Sequence, residues 1–155
     1  MAPVTARTLL DEVSVTHARN TISPVFDRAV RDKHPTLIRR GRDEYGLLLD
    51  RSLALALLSG CNMHVDVIPE DEGGFTLWLN ELEVGGSGKD LYSARQDLLA
   101  HIRYYVRDYL DDLPFNLRIP NRVEQFGYVL RLSLATSDDE LIEMLFGPEE
   151  GDAVA

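Results

Sequence analysis

The chain has 155 residues, 45% of them hydrophobic, with 26 Asp and Glu against 16 Lys and Arg and a formal net charge of −10. That length suits one ordinary domain or two small ones. The longest apolar run, residues 53–58, is far shorter than the roughly 20 residues a bilayer-spanning helix needs, so no membrane partner is expected. A single cysteine, Cys61, excludes an internal disulfide framework and suits a reducing compartment. No charged n-region followed by an apolar h-region opens the chain; no secretory signal is expected, and the expected location is cytoplasmic.

The net charge hides an asymmetry. Residues 1–60 hold nine Lys and Arg against seven Asp and Glu, and residues 15–42 alone hold seven against two, a local +5. Residues 61–155 hold seven against nineteen, a net of −12. A basic patch acts within about a Debye length, roughly 8 Å at physiological salt. The N-terminal third can therefore meet a polyphosphate while the acidic remainder faces away. An acidic surface suits a basic partner, and it also simply promotes solubility.

The first sixty residues predict a small unit. Val13 and Val15 read as a strand, with Thr16 as the N-cap of a short helix through residue 22. Ser23-Pro24 then opens a second helix over 24–33, with Val25, Phe26, Ala29 and Val30 at helical spacing, and His34-Pro35 ends it. Residues 36–39 and 45–49 predict a hairpin around Gly41, whose turn Arg39-Arg40-Gly41-Arg42 carries three guanidinium groups in four residues. Asp50 caps a Leu/Ala helix ending at Gly60. That helix has no polar face, so burial in a dimer or against the rest of the chain is expected.

Strand, two short helices and an arginine-bearing hairpin, in the order VSVTHAR, AV-x-D, P-T-L-I-R-R and L-L-L-D, resemble the DNA-binding half of Phd/YefM-type antitoxins. The resemblance implies a homodimer on operator DNA and places a DNA-contacting arginine at Arg19. Arg39, Arg40 and Arg42 suit the same role, because guanidinium forks match phosphate oxygens and the guanine edge. His17 is a further candidate. Charged hairpin turns, however, are also common because they are solvated.

The second unit opens with strands at 65–67 and 75–79 and a third at 82–84, running into Gly85-Gly86-Ser87-Gly88, which reads as a flexible connector. The glycine run lacks the G-K-[ST] ending of a phosphate loop. Asp90 caps a long helix to about residue 113, stopped by Pro114. Its stripe Leu91, Ala94, Leu98, Ile102, Tyr105 and Tyr109 repeats every three or four residues. Residues 128–134 predict a further strand, and Ser137-Asp138-Asp139-Glu140 a capping box for a last helix ending at Phe146. Residues 149–155 are expected to be disordered.

The residues Gly73-Gly74-Phe75, Glu81-Leu82, Gly88 and the helix pattern from Leu91 to Ile102 resemble the HicB-type antitoxin domain, a reduced ribonuclease-H-like fold. The expected architecture is α+β: a Phd/YefM-like unit over 1–60, an acidic HicB-like β-β-β-α unit over 61–148 with an extra strand and a short C-terminal helix, then a tail.

No catalytic constellation emerges, and the chain is not expected to be an enzyme. Asp66 and Asp71 lack a strand-borne partner carboxylate, and Asp108, Asp111 and Asp112 read as solvated charge. Cys61 and His64 form C-x-x-H without the second pair a zinc site needs, so no metal and no cofactor are expected. Trp78, Tyr92, Tyr104, Tyr105 and Tyr109 could be a base-stacking platform, but packing is the simpler reading.

The resemblances imply an antitoxin that represses its own operon and masks a small basic toxin of the RelE/ParE or HicA type, drawn to a −12 partner. A helix this short needs its apolar face docked, either on its own second unit or on a partner; antitoxins of this kind order a C-terminal segment on the toxin, which marks Leu141, Ile142, Met144, Leu145 and Phe146 as toxin-contact candidates. The alternatives are a free-standing DNA-binding regulator with an oligomerising or sensory second domain, and a protein-interaction module without DNA binding.

Overall fold

A computed structural model describes residues 8–148, so the tail expected at 149–155 lies outside the described residues. The chain divides into two compact units, residues 1–57 and 58–155. Both mix helix and strand.

In the first unit, β1 (Asp11–Ser14) lies parallel to β2 (Thr36–Arg40), which pairs antiparallel with β3 (Glu44–Leu48) in the order β1-β2-β3. The turn between β2 and β3 needs a left-handed residue, and Gly41 supplies it at φ 64°. Two helices connect β1 to β2: α1 (Val15–Asn20) and α2 (Ile22–Val30). The N-cap of α1 is Ser14 rather than Thr16; its hydroxyl accepts the His17 N–H at 3.0 Å. The α2 helix starts before Ser23-Pro24, because a proline in a helix's first turn forfeits no intrahelical bond. It ends where Lys33 turns left-handed (φ 55°) and the His34 N–H donates to the Arg28 carbonyl at 3.1 Å. After β3, α3 (Arg51–Leu57) has no buried residue, and Leu57 is 78% exposed.

Asp50 ties this unit together. Its buried carboxylate takes the Lys33 ammonium at 2.8 Å and both the Ser52 N–H, at 3.0 Å, and the Ser52 hydroxyl, so one side chain caps α3 and pins the end of α2. The hydrogen bonds from Lys33 and then Ser52 hold its pKa at about 2, below the usual 3.8. A carboxylate depressed in the folded state stabilises above its unfolded pKa and loses that contribution as pH falls through the folded one. Denaturant midpoints of the wild type and Asp50→Asn are therefore expected to differ at neutral pH and to converge between pH 3.8 and about 2. A gap that persists at the acid end would remove Asp50 from this role.

In the second unit, β4 (Val65–Pro69), β5 (Phe75–Leu79) and β6 (Val84–Gly88) form an antiparallel meander in that order. The helix α4 (Leu91–Asp111) opens with a reciprocal Asp90–Ser93 capping box and packs mainly on β6 and then β5. The glycine run expected to be a connector is β6 itself. The reason is steric: a Cβ on Gly86 would lie 2.2 Å from the Leu98 backbone nitrogen, and one on Gly88 would lie 2.4 Å from that of Ala94. Glycine lets α4 rest directly on the strand, and that packing outweighs glycine's poor strand propensity.

The remainder is helical: α5 (Leu113–Asn116), α6 (Pro120–Val123), α7 (Phe126–Ser133) and α8 (Asp138–Phe146). The strand expected at 128–134 is therefore α7. Its buried residues, Val129 and Leu132, stand three apart, a helical spacing that the alternation of Tyr128, Leu130 and Leu132 masks. One core joins Leu77, Leu79, Leu98, Ile102 and Val129 with Leu141 and Leu145 of α8. A buried polar network fastens the end of α4. The Tyr109 hydroxyl donates to the Arg122 carbonyl at 2.5 Å, Arg122 donates to the Asn116 side chain at 2.7 Å, and Asn116 donates to the Tyr109 carbonyl at 2.9 Å. Burial raises the Tyr105 and Tyr109 pKa values, which keeps both phenols as donors.

Candidate functional site

The seven Lys and Arg residues between 15 and 42 fall into two groups. Arg28 pairs with Asp11, Arg31 with Asp27 at 3.4 Å, Lys33 with Asp50, Arg39 with Glu12, and Arg40 with Glu44 at 2.5 Å. Arg39 also donates to the Gly41 carbonyl at 3.1 Å. Arg19 and Arg42 have no carboxylate partner among the described residues. The local +5 is thus largely spent inside the unit, since Asp11 and Glu12 lie on β1 beside β2.

The free cations are presented by two short elements. Ala18 is the buried residue of α1, which leaves His17 and Arg19 exposed on the same helix. Ser14, the N-cap of α1, is level with Arg39 across the parallel pair. The start of α1 and the Arg40–Gly41–Arg42 turn therefore occupy one end of the sheet. Val15 and Arg40 line one shallow hollow there with Ile38, Glu44, Tyr45 and Gly46. The first unit also exposes large apolar side chains, with Phe26 at 49%, Leu47 at 56%, and Ile22 and Tyr45 besides.

The C-terminal candidates lie in the core of the second unit. Leu141 and Leu145 are buried, and Ile142, Met144 and Phe146 pack against the same core half-buried. Arg95 of α4 stacks over the Phe146 ring at 4.6 Å, and Arg103 pairs with Asp138. The Ser137 hydroxyl accepts the Glu140 N–H at 3.2 Å, while the Glu140 carboxylate accepts from Thr136 rather than closing the box on Ser137.

The aromatic residues do not form a platform. Tyr109 is buried, Tyr105 stands 6.2 Å from it, Tyr92 and Tyr104 are exposed on α4, and Trp78 lies on the opposite face of the sheet. His64 pairs with Glu81 at 2.5 Å, and Cys61 packs against Gly127. Among the described residues no three His, Cys, Asp or Glu side chains gather as a metal site, and no helix is long and apolar enough to cross a membrane.

Asp97 and His101 did not stand out in the sequence. One turn apart on α4, they reach the outward edge of β6: the Asp97 carboxylate accepts the Ser87 N–H at 2.8 Å, and the His101 Nδ1–H donates to the Gly85 carbonyl at 2.8 Å. Their i, i+4 spacing opposite a glycine-rich strand was the available signal.

The chain thus has two small mixed units, one carrying Arg19 and Arg42 without a carboxylate partner among the described residues and one strongly acidic. The family model PHD_like, described as antitoxin of toxin-antitoxin, RelE/RelB, TA system, matches residues 9–147. The chain belongs to this antitoxin family. A crystal structure from Syntrophomonas wolfei subsp. wolfei, described as an antitoxin part of a proposed toxin/antitoxin system, is similar to it: TM-score 0.71, 25% identity, with 88% of this chain and 97% of that chain covered. No curated protein matches the chain.

Proposed function

We propose that this antitoxin neutralises a cognate basic toxin by direct binding through its acidic second unit and represses its own operon in the cytoplasm, as a homodimer, through its first unit. The observation that carries the reading is the division of free charge. Arg19 and Arg42, without a carboxylate partner among the described residues, stand on one unit, and a net −12 lies on residues 61–155. Like charge keeps the second unit off DNA and draws a toxin that must itself attract RNA phosphates. A second copy covering Phe26 and Leu47 would give the first unit the core it lacks alone. The burial of Leu141 and Leu145 favours a structural role for α8, with the toxin met elsewhere.

Arg19 and Arg42 are the leading DNA contacts. Arg39 and Arg40, whose charges are already met by Glu12 and Glu44, are secondary candidates, with His17 beside them. Titrating the full chain on its upstream DNA tests this. Affinity should fall steeply with salt. Arg19→Ala or Arg42→Ala should cost about 1–3 kcal/mol where the side chain reads a base edge, and Arg40→Ala less. The absence of any complex at low salt would sink the operator role. Co-expression with the adjoining reading frame tests neutralisation: growth that is arrested by that frame alone should be restored by this chain.

A further inference from the structure

The two edges of the second sheet are treated differently. On β6, the residues whose backbone groups point away from β5 are Gly85 and Ser87, and α4 meets both with His101 and Asp97. That edge is closed to another strand. Among the described residues of this unit no strand pairs with the outer edge of β4. The Asn80 N–H donates to the His64 carbonyl and the Glu70 N–H to the Gly74 carbonyl, so even-numbered residues of β4 face β5. Val65 and Val67 therefore direct their N–H and C=O groups outward, and Pro69 offers only its carbonyl.

The surface beside that edge is apolar and acidic. Val67 is 50% exposed on the face α4 leaves uncovered at this strand, and Ile68 is 46% exposed on the other face, near Trp78. Asp66 shares the Ile68 face. Glu70, Asp71 and Glu72 form the turn that ends β4 and have no cationic partner among the described residues.

We infer that β4 is the toxin-docking edge: a strand of the basic toxin adds to it, using the Val65 and Val67 backbone, with apolar side chains over Val67 and Lys or Arg toward Asp66 and the Glu70–Glu72 turn. This rests on the antitoxin reading above. Charge selects the occupant, since a unit of net −12 attracts a cationic strand and repels a copy of itself. A self-paired β4 would also set each Pro69 opposite the other strand's Val65 carbonyl with no N–H to give. Main-chain bonds supply affinity in such strand addition, and the flanking side chains supply choice of partner.

The test uses the full chain and the purified protein encoded by the adjoining reading frame. Val67→Pro removes an outward N–H without breaking the β4–β5 ladder, so the melting temperature and operator binding should hold. Loss of that donor and the clash of the ring should weaken binding by about a hundredfold. Val67→Ala keeps the N–H and should bind within a few fold of wild type. Amide exchange on the wild-type chain gives a readout that needs no variant: the Val65 and Val67 amides should become protected in the complex. Wild-type affinity in Val67→Pro, or unprotected Val65 and Val67 amides in a complex that forms, overturns the edge while leaving the antitoxin reading standing. A Val67→Pro chain that sediments as a smaller species with unchanged toxin affinity overturns it in favour of a second copy on β4. Failure of the wild-type chain to bind removes the neutralisation reading, and the edge with it.

Discussion

One methyl group at Gly86 is expected to destabilise the second unit sharply. A Cβ there would lie 2.2 Å from the Leu98 nitrogen and 2.5 Å from the Leu98 Cα, both backbone atoms that no rotamer change can move aside. Relief requires lifting α4 off β6, which would open the contacts among Leu77, Leu98 and Ile102. Overpacking a core typically costs 1–3 kcal/mol, and a clash with main chain belongs at or above the top of that range, about 3 kcal/mol or more. Gly60→Ala is the control, because a Cβ at Gly60 meets nothing within 4 Å. Trp78 is the only tryptophan of the chain and lies over Gly85, so its fluorescence reports this sheet during urea denaturation. Gly86→Ala should shift the midpoint sharply downward and Gly60→Ala should not. Equal midpoints for the two would mean that the close approach of α4 to β6 is not what holds this unit together.

That same glycine run shows where the sequence stops being legible. Helices with strong local signals were readable: the Asp90 cap of α4 and the Ser137 cap of α8 both stand where their side chains accept the third N–H of the helix. Strands with alternating apolar residues, β4 and β5, were readable for the same kind of reason. The identity of β6 was not, because Val84–Gly88 is held as a strand by its pairing with β5 and the close approach of α4, both tertiary contacts. Residues 128–134 carry apolar positions consistent with either period, and tertiary packing of Val129 and Leu132 selects the helix. The pairing within the basic patch was not legible for a different reason. Counting charge over 15–42 leaves out Asp11 and Glu12, which are distant from Arg28 and Arg39 in sequence and adjacent to them in space. Only pairing reveals that, among the described residues, Arg19 and Arg42 have no carboxylate partner. Asp97 and His101 were invisible because their partners are backbone groups of β6.

Deleting residues 137–155 is expected to abolish toxin neutralisation by destroying the second unit rather than by removing a contact. The deletion strips Leu141 and Leu145 from the core together with the half-buried Ile142, Met144 and Phe146. At about 1.5–3 kcal/mol for each fully buried side chain, the two leucines and partial terms from the other three amount to roughly 5 kcal/mol. That is a large share of the about 5–15 kcal/mol that holds a domain together. The truncated chain should therefore lose its cooperative transition in the second unit and fail to rescue. Asp139→Lys and Glu143→Lys alter only the solvent face of α8, where both side chains are exposed. Exposed changes of this kind cost within about 0.5 kcal/mol, and the loss of Asp139 from the first turn of α8 about 0.3–1 kcal/mol more, small beside the deletion, so this double variant separates contact from fold. With α8 structural and the toxin on β4, the double variant keeps both its melting temperature and its rescue. Should it stay folded and lose rescue, the acidic face of α8 would belong to the toxin surface. Should the truncated chain stay folded and rescue fully, α8 would be dispensable to both, and the core assigned here to Leu141 and Leu145 would be wrong.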